Sequence, residues 1–219
     1  MAREDLETLA HSLHVNLEQN PSKYLGLNFK FRGEKVADFQ FLVDKLHTKL
    51  QGWKAKLLSQ AGRTTLVSFM LQSIPLYTFS CFKVPEAICN KIDVISEAFL
   101  WGHEPGVKKM HLLNWDKLCK PKKEGGVGLK KFSFMNQAML AKQFWRISKK
   151  PQSLLVKTFK AKYFPRSTTH ECTPKPHQSW FWRNIIDHKH SKLKEGRWTV
   201  GNGFGIPLNH PSWFLYQAK

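Results

Sequence analysis

The sequence predicts a mainly α-helical protein: a small N-terminal β-hairpin, a helical bundle after it, and a second, irregular helical region beyond. Three observations predict this. Apolar residues recur every three or four positions through residues 36–58, 63–73, 85–102, 132–148 and 152–163, which places them on one face of a helix. Strict alternation occurs in one place, where Leu25, Leu27, Phe29 and Phe31 are separated by Gly26, Asn28 and Lys30, the period of a half-buried strand. Beyond Pro165, the breakers Pro174, Pro176, Pro207 and Pro211 predict an irregular chain.

Each element has a local reason. Asn20-Pro21-Ser22 supplies turn chemistry ahead of the hairpin. The helix over 36–58 uses Phe39, Leu42 or Val43, Leu46, Leu50, Trp53 and Leu57, while Lys45, Lys49 and Lys56 project from another face. A second helix runs from 63 through Leu66, Phe69 and Met70 and stops before Pro75, which disfavours helix in its predecessor. A third starts at Pro85, gains Glu86 in its first turn, uses Ile88, Ile92, Ile95 and Phe99, and ends at Gly102. Residues 103–128 are rich in turn formers and close on Lys120-Pro121-Lys122-Lys123-Glu124-Gly125-Gly126-Val127-Gly128. The expected organisation is therefore 1–35, a hairpin; 36–102, a helical domain; 103–131, a linker; and 132–219, a basic helical region with an irregular tail.

Charge is distributed unevenly. The 219 residues carry 35 Lys and Arg against 16 Asp and Glu, a formal net charge of +19 with a pI near 9.9. The first hundred residues account for +2 of it and the remainder for +17. A charge of that size repels itself and suits a polyanionic partner. Rings are interleaved with the cations in Lys142-Gln143-Phe144-Trp145-Arg146, Lys160-Ala161-Lys162-Tyr163-Phe164 and Trp180-Phe181-Trp182-Arg183, as suits phosphate contact beside base stacking. The same rings at helical spacing also serve as core.

Several chemistries have no sequence support. No apolar run approaches the roughly 20 residues of a membrane span, and the acidic, polar start does not fit a signal peptide. The expectation is a soluble, intracellular chain without a membrane partner, with the nucleus a plausible compartment. Cys81, Cys89, Cys119 and Cys172 lack C-x-x-C spacing and read as reduced, mostly buried thiols. His170, Glu171 and Cys172, with His177, His188 and His190, have zinc-ligand types without a zinc spacing, so neither a metal nor another cofactor is expected. The glycines at 125, 126 and 128 and at 201, 203 and 205 lack the Gly-Lys-Ser/Thr of a phosphate loop and read as turns.

A run of short blocks carries a resemblance. In order they are Lys23-Tyr24-Leu25-Gly26-Leu27, Gly52-Trp53-Lys54, Ala61-Gly62-Arg63, Ser73-Ile74-Pro75-Leu76-Tyr77, Phe99-Leu100-Trp101-Gly102, Leu118-Cys119-Lys120-Pro121-Lys122, Gly125-Gly126-Val127-Gly128-Leu129, Trp145-Arg146 and Arg197-Trp198-Thr199-Val200-Gly201-Asn202-Gly203. Over residues 13–213 they resemble plant LINE-type (non-LTR) retrotransposon reverse transcriptases. The resemblance implies a hairpin that contacts the primer, left over from the palm and matched by residues 23–31. It also implies a helical thumb, matched by 36–102, and a connection region after it. The palm itself, with the paired aspartates that hold two metal ions, has no counterpart, and no Asp-Asp pair occurs in the chain. The likeness thus implies an excised piece that does not polymerise DNA by itself.

What such a thumb grips is sugar-phosphate backbone. The candidate contacts at the helix-helix corner are Lys49, Lys54, Lys56 and Arg63, with Trp53 supporting it; Lys23 and Tyr24 stand in the matched hairpin. In the second half Lys120, Lys122, Lys123, Lys130, Lys131, Lys142 and Arg146 continue a basic groove, extended by Lys149 and Lys150. The alternative for these cations is a solvated face, with Arg63 bracing the fold. The expected partner is DNA, RNA or a hybrid. Two other readings stay open: a surface that binds another protein or a second copy, and a piece that completes a reverse transcriptase in trans.

Overall fold

A computed structural model describes residues 36–51, 58–102, 110–165 and 175–187, together with 12, 23–24, 27–28, 169 and 172–173. Through them the protein is mainly helical. Lys23–Tyr24 (β1) and Leu27–Asn28 (β2) pair antiparallel, Lys23 opposite Asn28 and Tyr24 opposite Leu27. Two residues a side are too few for a stable sheet. The half-buried hairpin expected over 23–31 is not supported by so short a pairing, and its remaining residues lie outside the described set.

Helix α1, Val36–Gln51, buries the expected Phe39, Leu42, Val43 and Leu46, with Asp38 in its first turn and Lys49 in its last, both favourable to the helix dipole. Residues 52–57, including Trp53 and Leu57 of the expected face, lie outside the described set. Helix α2, Gln60–Phe69, begins three residues earlier than the apolar spacing predicts. The cause is Ser59, an N-cap whose hydroxyl accepts the Gly62 amide at 3.2 Å.

The inward face of α2 also differs from the expected one. Val67 and Leu71 are buried, whereas Phe69 and Met70 are exposed, and the chain then tightens into a 3-10 turn over Leu71–Ser73. The stretch ends, as expected, before Pro75, and that proline also opens a new helix. It stands at the N-cap of α3, Leu76–Cys81, where its missing N–H costs nothing and its carbonyl accepts from Phe79 at 2.8 Å.

Helix α4, Glu86–Leu100, follows Pro85 and buries Ile88, Ile92 and Phe99 as predicted, and Cys89, Asp93, Ser96 and Leu100 besides. It closes on Gly102 at φ +66°, a left-handed stop that favours glycine. The stretch read as a linker holds α5, Trp115–Leu118, capped by Asn114, and a 3-10 turn over Lys122–Glu124. Its Trp115, Leu118 and Leu129 enter the core. Gly125 and Gly128 adopt φ of +79° and +81°, consistent with turns.

Helix α6, Phe132–Lys149, and helix α7, Leu154–Tyr163, match the predicted spans closely. Helix α8, Trp180–Asp187, corrects the expectation of irregular chain beyond Pro165. Its eight residues are too few for the helical period to stand out from sequence, and the prolines near it end before it starts.

Two hydrophobic clusters result. The first joins α1 to α5 and the start of α6; the second gathers Phe144, Ile147, Val156, Phe164, Trp182, Ile185 and Ile186. Helix α6 belongs to both, since Phe132 and Met135 enter the first while Phe144 and Ile147 enter the second. Helix α8 also spans them. Its Trp180 stacks on Phe82 with centroids 4.7 Å apart, and Trp182, fully buried, lies nearly parallel to Tyr163 and Phe164 at 5.2 and 5.3 Å.

One buried polar side chain locks α6 to α3. The Asn136 amide donates to the carbonyls of Phe79 at 3.0 Å and Phe82 at 2.8 Å, and its Oδ1 accepts the Val84 amide at 3.0 Å. Carbonyls left over at the end of α3 thus find donors without water. Asn136→Ala should cost about 2–5 kcal/mol in urea unfolding, since three backbone groups lose their partner in the interior. Asn136→Asp should be at least as damaging, because it turns acceptor oxygens toward two carbonyls.

Candidate nucleic-acid interface

The basic stretch between α5 and α6 is held at both ends by one carboxylate. Asp93 Oδ1, buried on α4, accepts the Trp115 indole N–H at 2.7 Å and the Phe132 amide at 3.3 Å. Residues 116–131 therefore leave and return at a single point. Burial raises the Asp93 pKa above the ordinary carboxylate range, against the lowering pull of these two donors and of Lys131.

Inside this loop the turn geometry is enforced by backbone contacts. The Val127 amide donates to Leu118 at 3.0 Å and the Gly128 amide to Lys120 at 3.0 Å. A Cβ on Gly126 would collide with the Lys120 carbonyl, so the chain closes on itself only with glycine there.

The structure brings several predicted cations together. Lys120, Lys130 and Lys131 line a groove of about 670 Å³ floored by Cys119, Leu129 and Met135 and bounded by Phe134 of α6. Lys130 is held in place through its carbonyl, which accepts the buried Gln72 amide at 3.3 Å. Lys122 and Lys123 sit exposed on the neighbouring 3-10 turn. Along α6 the exposed residues Phe134, Ala138, Lys142, Trp145, Arg146 and Lys149 extend the groove's edge as one stripe.

Lys131 is already engaged. Its Nζ lies 3.0 Å from Asp116 Oδ1, and that bond raises its pKa, so a phosphate there must compete with a carboxylate. Cys119 and Cys89 are not nucleophiles at neutral pH. Burial first, and then nearby Asp93, pushes each thiol up to about 12.

Two of the other predicted contacts are described, on elements other than α6. Lys49 is exposed in the last turn of α1. Arg63, in the first turn of α2, lays its guanidinium over Gly102, so that a Cβ on that glycine would overlap it. That is the bracing role, tying α2 to the end of α4. Trp53, Lys54 and Lys56 lie outside the described residues, as do the side chains of Lys23 and Tyr24.

Sequence reasoning missed Phe134. Its signal was phase: eleven residues before Trp145, it falls on the same side of α6, away from Phe132, Asn136, Leu140, Phe144 and Ile147. The interleaved rings divide accordingly. Phe144, Phe164 and Trp182 are core, whereas Trp145 is half exposed.

The comparisons with known proteins cover most of the chain. It is 34% identical over 148 residues to an Arabidopsis thaliana protein named Uncharacterized mitochondrial protein AtMg00310, covering 96% of that protein and 67% of this chain. The chain belongs to the family of that protein. It is also 34% identical over 178 residues, or 80% of its length, to an Arabidopsis thaliana protein named Putative ribonuclease H protein At1g65750, of which it spans 29%. No family model matches the chain.

Two measurements test the anchors of this surface. Asp93→Ala should cost about 2–5 kcal/mol by removing the acceptor of two buried donors, and Asp93→Asn should retain the fold. Because the folded pKa of Asp93 is raised, the stability its bound proton supplies is full below about pH 4 and is lost as pH rises through the folded value. Urea midpoints should therefore shift in favour of Asp93→Asn between pH 4 and neutrality. Gly102→Ala should cost at least about 1–2 kcal/mol for the left-handed backbone, with a further loss from displacing Arg63 that Arg63→Ala relieves in a double-mutant cycle.

Proposed function

We propose that this protein is a non-catalytic nucleic-acid-binding module of retroelement origin, derived from a reverse transcriptase and holding the backbone of a duplex or primed template. The observation that carries the reading is the shared stripe formed by Lys120, Lys130, Lys131, Lys142 and Arg146 on one groove and its helix edge. Cations so arranged meet phosphates at intervals along a strand, whatever its sequence. The name of the longer relative, a ribonuclease H protein, supports a nucleic-acid setting. Nuclease chemistry is not assigned to this chain, which spans 29% of that relative.

Several parts of the notional interface belong to the same proposal. Lys49, Lys54 and Lys56, with Trp53, would extend the contact at the corner after α1, and Lys23 and Tyr24 would meet the primer side. Arg63 contributes by bracing the start of α2 against the end of α4. Without an Asp-Asp pair in the sequence, the chain would supply grip and leave polymerisation to another polypeptide. The nucleus suits such a partner.

A second reading has its own observation. Phe69, Met70 and Tyr77 stand exposed around α2 and α3, on a surface that would suit another protein or a second copy.

Titrating the full chain with labelled duplex between 50 and 200 mM salt tests the first reading. If six contacts form, affinity should fall on the order of a thousand-fold, with a logarithmic slope near −5. Lys142→Glu and Arg146→Glu should each weaken binding for all sequences and flatten the slope by about 1, while Asp116→Asn, by releasing Lys131, should steepen it by about as much. Salt-insensitive or absent binding at micromolar protein would leave the protein-partner reading ahead.

A further inference from the structure

Helix α6 exposes two large rings on the side turned away from both cores. Phe134 is 65% exposed and Trp145 49% exposed. They are eleven residues apart, which at about 100° and 1.5 Å per residue is three turns, with an offset of about 20° and a separation of about 16 Å along the axis. Lys142, Arg146 and Lys149 fall on the adjoining arc of the same helix, all exposed. The Lys149 ammonium lies 5.2 Å from the centre of the Trp145 ring.

Such rings contribute little to the fold, whose apolar side on α6 is filled by Phe132, Leu140, Phe144 and Ile147. Water wets them at a cost. Among cations they suit one kind of occupant. The bases of a closed duplex already stack on one another and offer no free face, whereas unpaired bases gain by stacking on a ring while their phosphates meet the neighbouring ammonium and guanidinium groups.

We propose that the exposed face of α6 is a stacking platform for an unpaired stretch of nucleic acid, with Trp145 taking one base and Phe134 another, Lys142 meeting phosphates between the rings, and Arg146 and Lys149 meeting those beside and beyond Trp145. At about 3.4 Å per stacked nucleotide, the 16 Å between the rings spans roughly five nucleotides. The inference rests on the backbone-binding reading for its cations and adds the class of strand. A primed template offers such a stretch beside its duplex.

The test is fluorescence anisotropy of the full chain with labelled twelve-nucleotide oligo-dT, oligo-rU and a twelve-base-pair duplex, for wild type, Phe134→Ala, Trp145→Ala and Trp145→Phe. Circular dichroism checks that each variant is folded. Each alanine should weaken single-strand binding roughly ten-fold and change duplex binding by less than about two-fold. Trp145→Phe should restore most of the loss.

Loss of duplex and single-strand affinity in equal measure would overturn the platform. So would ring variants that bind like wild type while Lys142→Glu and Arg146→Glu abolish binding, an outcome that leaves the backbone reading standing. Wild-type protein that binds none of the three probes would overturn both. If sedimentation shows a dimer that the alanine variants dissociate, with single-strand affinity unchanged, the face belongs to a second copy of the chain.

Discussion

The Asp93 carboxylate is the constraint from which the rest follows. A single oxygen on α4 receives the indole of Trp115 and the first amide of α6, so that the basic loop between them is gathered at its base. Burying a carboxylate is costly unless its oxygens are bonded, and here Oδ1 takes both donors while the buried Oδ2 has none. The same burial raises the Asp93 pKa, while the thiols of Cys89 and Cys119 are raised first by their own burial and then by the nearby Asp93 charge. What the fold gains is a short stretch of backbone fixed in direction, from which lysines project outward without needing to order one another.

Helix α6 turns this local anchor into a long surface. Its buried side is used twice, by the first cluster at its start and the second at its end, and Asn136 fastens it to α3 in between. A helix held along its whole length keeps its outer stripe straight. Lys142 and Arg146 thus stand one and two turns beyond Ala138, which lines the groove with Lys120 and Lys130 of the loop. Electrostatically the surface is nearly one-signed: Asp116, paired with Lys131, is the acid that lines the groove.

Much of this was legible from residue order. The spans of α4, α6 and α7, and that of α1 as far as Gln51, follow from apolar residues every three or four positions, and Phe39, Leu42, Leu46, Ile88, Ile92, Phe99, Met135 and Phe144 are buried where the helical period places them. Short elements were not legible. Six residues of α3 and eight of α8 give too few repeats, and Pro75 reads as a breaker until the chain places it at a cap. The hairpin expected from alternation lacks support for a related reason: alternation says which side a residue takes and not which partner strand is present.

Composition and order by themselves determined that this is a helical, strongly basic chain whose positive charge lies in its second half, because period and charge are properties of the string. Tertiary structure decided which charges lie together. It set Arg63 to brace Gly102, bound Lys131 to Asp116, and grouped Lys120 and Lys130 beside α6. It also separated core rings from surface rings, burying Phe144 and leaving Trp145 half exposed though they are neighbours. The physical reason is that adjacent residues on a helix point about 100° apart, and only the packing of the other elements determines which of those directions meets protein and which meets water.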